Sequence, residues 1–302
     1  RQADLQFTQE DAGDFLREGM GIRHLTDNDI LALEQRTEGW IAGLQLAGLS
    51  IKADPDPVHF IKSFTGSDRY ILDYFMEEVF TRQPDEIQKF LLASSLLERF
   101  CAPLCDAVLR ELMDDRPGNG SQAMLERLEH ANLFLIPLDN QRRWYRYHHL
   151  FAELLRHALA RTAPEKILAL HLCASQWLEA NSFILEAVQH AFQTKDWNYA
   201  ADLVERHAWN MILHSQVGTV SEWCNTFPEE TMRNRPVLCI FHGWALIIAF
   251  KHSDFPAAEV RIEQAQAALS DVNPSELICL LPGTQPVNLL AWITGHITLL
   301  RS

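Results

Sequence analysis

The chain has 302 residues, 47% of them hydrophobic and 22% charged, an ordinary balance for a globular protein long enough for two or three domains. Its 40 acidic against 26 basic residues leave a formal charge of −14, which disfavours nucleic acid over most of the surface, so that a nucleic-acid role requires a local patch. No apolar run approaches the roughly 20 residues needed to cross a bilayer, no signal-like opening is present, and six cysteines without framework spacing fit reduced thiols in a cytoplasmic protein.

In chain order, "FTQEDAGDFLREGMGI" predicts a helix with Thr8 as N-cap, acids in its first turn, and Gly19 and Gly21 as stop signals. "LTDNDILALEQRT" repeats that grammar, and "GWIAGLQLAGLSI" sets apolar residues among glycines and alanines that permit close backbone approach. "ADPDPVHF" marks a boundary. Beyond it come "SDRYILDYFMEEVF" and then "QPDEIQKFLLASSLLE", where Pro84 suits a first helical turn. Two shorter helices follow, "APLCDAVL" and "SQAMLERLEHAN", separated by the loop "DDRPGNG".

Sheet is predicted in one place. "LFLIPLD" and "RRWYRYH" are β-prone runs around a turn at Asp139, Asn140 and Gln141, with Pro137 demoting the first run to an edge. Three helices and a hairpin outline a winged helix, and the amphipathic "LFAELLRHALA" leaves its wing. From about residue 164 helix follows helix, and "ANSFILEAVQHA" and "KHSDFPAAEVRIEQA" read as two versions of one unit. A helix-hairpin solenoid of the tetratricopeptide kind is the natural expectation there. The fold class is thus mainly α: a helical domain, a winged helix with a small β-hairpin, and the start of a TPR-like superhelix.

No run matches a P-loop, a nucleophile elbow, a zinc-protease motif, a dinucleotide fingerprint or a calcium loop. No catalytic residue and no metal site is expected; the Cys101 and Cys105 pair lacks a second pair nearby and reads as core thiols. His171, His190, His207, His214, His242 and His296 read as packing histidines on helical faces or ends. The stretch from Arg142 to Arg161 differs in kind: five arginines and three histidines stand against the single acid Glu153. A strand-to-helix junction adds backbone N–H groups that favour anions. Two readings remain open there, an anion site and a wing with solvated arginines and helix-capping histidines.

"ADLQFTQEDAGDFL", "RTEGWIAGLQLAGLSI" and "NLFLIPLDNQRRWYRYHHLFAELLRHAL" together resemble the MalT-like branch of large LuxR-type transcriptional regulators, with "FIKSFTGSDRYILDYFMEEVF" and "LHLCASQWLEAN" agreeing in between. The resemblance implies signal-transducing ATPases of the STAND class, built from a P-loop domain, a helical domain, a winged helix, a superhelical sensor and a C-terminal helix-turn-helix reader. It implies residues 1–60 as the helical domain, 61–160 as the winged helix, and 161–302 as an arm and the start of the sensor. The opening at Arg1, without methionine, and the close after "LLAWITGHITLL" then read as the ends of a segment whose P-loop and DNA reader lie outside it.

Two functional positions come with the resemblance. Gly39, Trp40 and Ile41 take the place of a Gly-Leu-Pro-like motif that packs near adenine, although its proline is absent here. Tyr147, His148 and His149 take the place of a Met-His-Asp motif whose histidine reaches the β-phosphate of ADP. The phosphate role falls to His148, with Arg146 beside it, and His149 is a neighbour without an assigned role. ATP or ADP is expected in the full-length protein and none on this segment by itself. The implied partners are the P-loop domain in cis, a small-molecule or protein inducer at the sensor, DNA through the C-terminal domain, and further copies on activation. Two other readings are a helical-repeat scaffold for protein partners and a winged helix that binds DNA itself. Against the latter stand Glu126 and Glu129 beside a single Arg127 on the expected recognition helix.

Overall fold

A computed structural model describes residues 7–39, 41–53, 61, 76, 80–112, 120–130, 135–249, 255–270, 278–279, 287–288, 295 and 298. The expected boundary "ADPDPVHF", the segment "SDRYILDYFMEEVF" and the loop "DDRPGNG" lie almost wholly outside these residues, as do Trp40, His296 and most of the closing apolar run. The described chain is mainly α with short antiparallel strand pairs. It divides into two compact units, 1–177 and 178–302.

Unit 1 opens with α1 (Gln9–Asp14), which passes into a π-helical turn (Phe15–Gly19), then α2 (Asp27–Thr37) and α3 (Ile41–Ala53). Thr8 and Thr26 each start a helix through a reciprocal capping box with the acid three residues on, Asp11 and Asp29. Asp29 N–H donates to Thr26 Oγ1 at 3.2 Å while Thr26 N–H donates to the Asp29 carboxylate at 2.9 Å, satisfying donors that the first helical turn leaves open. Gly21 then ends the first helical segment in the left-handed region, at φ 71°.

The winged helix is built from α4 (Asp85–Ser94), α5 (Ala102–Leu109), α6 (Gly120–His130), the hairpin β1 (Leu135–Pro137) and β2 (Tyr145–Tyr147), and α7 (His149–Thr162). The strands are antiparallel with Ile136 opposite Arg146. Phe100 adds a one-residue bridge to Tyr145, with both backbone bonds at 2.8 Å, so β2 is paired on two sides. Strand alternation sends Tyr145 and Tyr147 into the core, where both are at most 3% exposed, and leaves Arg146 on the other face. Tyr147 is fixed by a 2.7 Å hydrogen bond with Ser94 Oγ and by ring contacts with Phe100 and Phe151. Helix α2 packs on α7, which brings the end of α2 to the base of the wing.

Helix α8 (Ile167–Ala180) contains the division between the units. Unit 2 continues with α9 (Ile184–Gln193), α10 (Trp197–Leu213), α11 (Val217–Thr226), the short α12 (Glu229–Arg233), α13 (Pro236–Ile248) and α14 (Phe255–Ser270). Consecutive helices pack on one another, α9 on α10 and α13 on α14 among them. Their shared core includes Phe241 and the fully buried Ala200, Val204 and Ala208. A two-residue strand pair, Ile278–Cys279 with Val287–Asn288, follows.

Candidate functional site

The C-cap of α2 is Glu38, in the left-handed conformation at φ 47° and ψ 36°, and Gly39 follows at φ 72°. Two successive left-handed residues turn the chain sharply, and the main-chain N–H groups of both donate back to the Glu34 carbonyl. The turn is held from outside as well: Phe7 N–H donates to the Gly39 carbonyl at 2.8 Å. Gly39 is buried, and a Cβ there would collide with the Phe7 carbonyl oxygen. Ile41, half-buried, then opens α3.

This turn presents the Glu38 side chain to the wing. Arg146 Nη1 and Nη2 donate to Glu38 Oε1 and Oε2, each at 3.2 Å, and Nη1 also reaches the Tyr147 carbonyl at 3.2 Å. His148 Nε2 lies 3.5 Å from Glu38 Oε2. Arg146 and His148 thus flank the anchored Tyr147 and converge on one carboxylate. The guanidinium and the carboxylate are partly open to solvent, while the imidazole is only 4% exposed.

Burial pushes the His148 pKa below its ordinary value; the Glu38 carboxylate opposes that shift and Arg146 reinforces it. The ring is therefore neutral at pH 7, and the fixed positive charge of the site is that of Arg146. His148 occupies the N-cap position of α7 without a side-chain capping bond, so the capping role open to it in the sequence is not the one it has. His149 is exposed and lies 3.7 Å from Glu153 one turn along the same helix.

Two arginines of the basic stretch are paired, although Arg142, Arg143 and Arg161 remain exposed. Carboxylates from outside it sit on its arginines, Glu38 on Arg146 and Glu129 on Arg142 at 3.2 Å. The turn between the strands is organised by Asp139, whose carboxylate accepts from Gln141, Arg143 and Trp144 N–H at 2.8, 3.2 and 2.7 Å. Those bonds, the one from Trp144 foremost, hold its pKa below the usual range. Arg99 lies over the Trp144 ring at 4.9 Å. Of the residues assigned from sequence, Arg146 and His148 meet on the carboxylate of Glu38, which directly precedes Gly39; Trp40 lies outside the described residues. Glu38 was not singled out by sequence reasoning, and the signal that could have found it is an acid placed at a helix C-terminus immediately before a motif glycine.

An oxyanion already lies in the Arg146 fork, and such a fork takes carboxylate and phosphate with the same paired geometry. The donor set therefore fits a phosphate group. Elsewhere, Cys101 and Cys105 are buried, and no group of three metal-ligating side chains forms among the described residues. His171, His190 and His242 are buried, His207 bonds Glu179 at 2.9 Å, and His214 bonds the Asn210 carbonyl at 2.7 Å. Among the described residues no helix is long and apolar enough to cross a membrane.

Residues 76–167 match the family model of the MalT winged helix domain. The chain is similar to the serine/threonine-protein kinase PknK of Mycobacterium tuberculosis, 31% identical over 277 residues that make up 91% of this chain and 24% of that protein. It is also similar to the HTH-type transcriptional regulators MalT of Klebsiella pneumoniae, 27% identical over 269 residues, and of Vibrio cholerae, 27% identical over 273. In both cases the match takes in 88% of this chain and 29% of the regulator. The chain thus spans about a quarter of the length of the curated relatives it matches.

Proposed function

We propose that this chain, which matches the MalT winged helix model over residues 76–167 and is similar to MalT regulators over 88% of its length, is the switch and sensor part of an ATP-dependent transcriptional regulator. In this reading residues 1–60 are the helical domain, 61–160 the winged helix, and 161–302 an arm and the start of a TPR-like sensor. The segment couples nucleotide state and inducer binding to a DNA-reading output. ATP or ADP is held by a P-loop domain in cis, DNA by a C-terminal reader, and the inducer by the helical superhelix. Activation proceeds through self-association in the cytoplasm.

The observation that carries the reading is the convergence of Arg146 and His148 on one oxyanion beside the Gly39 turn. Arg146 and His148 would hold the phosphate side of ADP, with Gly39, Trp40 and Ile41 on the adenine side. The nucleotide supplies negative charge on its terminal phosphate; this chain supplies a guanidinium that carries the countercharge and a neutral imidazole beside it. A contact made in one arrangement of the domains and not in another lets the nucleotide bias a two-state protein. One hydrogen bond to a charged group contributes about 1.5–3 kcal/mol, enough to shift that balance about tenfold or more.

The relatives favour a regulatory over a catalytic part. About nine-tenths of this chain aligns in each case, with a protein named as a kinase and with proteins named as HTH-type regulators, which supports a contribution common to two different outputs. The DNA-binding alternative is disfavoured by α6, where exposed Glu126 stands beside Arg127 and Glu129 is engaged by the wing through Arg142.

In the full-length protein, Arg146→Gln and His148→Ala should each speed ADP release about tenfold and raise basal transcription. Unchanged ADP release in both variants, with unchanged melting temperature, removes the phosphate-reading role.

A further inference from the structure

We infer that Glu38 is a built-in competitor for the phosphate site: its carboxylate occupies Arg146 and His148 when no phosphate does, and must leave for a phosphate to be read. The inference rests on the reading of Arg146 and His148 given above and concerns how that site is regulated.

Three observations carry it. The first is occupancy: both carboxylate oxygens lie in the Arg146 fork, and one of them also faces His148 Nε2 at 3.5 Å. A phosphate bound to the same donors would place a second anion against the first, and two anions repel at that separation. The second is backbone conformation. Glu38 holds a left-handed φ of 47° at a helix C-cap, a conformation that favours glycine or asparagine, whose side chains tolerate it or bond locally. A glutamate gains nothing from the backbone there.

The third is charge. An acid at the last turn of a helix lies at the negative end of the helix dipole, the disfavoured end for a carboxylate. Local structure therefore argues twice against glutamate at position 38, and the contacts that offset both are those to Arg146, 108 residues away in sequence, and to His148 beside it. The arrangement is a removable one. The Arg146 and Glu38 side chains keep 36% and 28% of their surface exposed, so the carboxylate can swing out while Tyr147 and Ser94 keep β2 in place.

The device has a direct consequence. A carboxylate that competes with ADP weakens the resting, ADP-bound arrangement and sets how readily it opens. The test uses the full-length protein with ADP and with AMP as probes, in the wild type and in Glu38→Gln, which keeps the shape and removes the charge. Glu38→Gln is expected to release ADP about tenfold more slowly, with AMP release unchanged because AMP lacks the β-phosphate, and with basal transcription lowered. Glu38→Asn, which tolerates the left-handed backbone, gives the same result should the glutamine variant fold poorly.

If ADP release in the Glu38 variants is unchanged or faster while His148→Ala speeds it, Glu38 is a structural staple and the competition is overturned, with the switch reading intact. If ADP release ignores Glu38, Arg146 and His148 alike, the phosphate-reading role falls and this inference with it.

Discussion

Gly39 holds φ at 72° with its carbonyl bonded to Phe7, and the Glu38 carboxylate reaches the wing because of that turn. A side chain at position 39 meets two obstacles, the left-handed backbone and the Phe7 carbonyl oxygen. Gly21 provides the internal comparison, since it has almost the same φ, 71°, and nothing within 4 Å of an added Cβ. Gly21→Ala should therefore cost only the backbone penalty, about 1–2 kcal/mol, whereas Gly39→Ala should cost about 1–2 kcal/mol more. Urea midpoints of the two variants decide it, and equal losses would mean that the contact with Phe7 is unimportant. At this scale the sequence was informative about residue type and silent about partner. His148 and Arg146 stand out in "RRWYRYHH", yet no count along that stretch could show Glu38 or Glu129, because both approach from other elements.

At the scale of elements, the hairpin determines whether Arg146 and His148 face Glu38 at all, since a one-residue slip in β2 would exchange the faces of Tyr145, Arg146 and Tyr147. Its register depends on Asp139, which gathers three backbone N–H groups, and on the bond from Leu138 N–H to the Trp144 carbonyl at 2.8 Å. Asp139→Ala is expected to speed hydrogen exchange at the Gln141 and Trp144 amides roughly tenfold while leaving the amides of α4 and α7 protected; uniform loss across the winged helix would show instead that the turn is not a separate unit. The helices and this hairpin were legible because each has a local grammar, with threonine caps, 3.6-residue periodicity and a turn rich in Asp and Asn. The Phe100 bridge to Tyr145 and the π-helical turn at Phe15–Gly19 were not legible. One is a single residue pair and the other a ring-closure variant of the same periodic pattern, and both are settled by packing rather than by residue type.

At the scale of the whole molecule, the two compact units differ in how acid acts on them. In unit 1, burial pushes the His171 pKa from 6.5 down to about 4 and lowers that of His148. As pH falls below 6.5 the unfolded chain takes up protons that these folded groups refuse, so stability present above 6.5 is lost toward 4. In unit 2, His242, likewise lowered to about 4 by burial, has the same effect. Glu205 acts in the opposite sense: burial outweighs the nearby Arg235 and raises its pKa from 4.5 to about 7, so the folded state holds a proton that the unfolded state lacks, and stability rises as pH falls from 7 toward 4.5. Between pH 7 and 5, among the described residues, the two shifts in unit 2 offset one another, while the histidine loss in unit 1 has no such counterpart and is of order 1–2 kcal/mol at 1.36 kcal/mol per pKa unit. Hydrogen exchange at pH 7 and pH 5, corrected for intrinsic rates, should show protection falling in α4, α7 and the first turns of α8 and holding in α10 and α13. Glu205→Gln removes the offset, and α10 and α13 should then lose protection as well; equal losses in both units of the unsubstituted chain would refute the assignment.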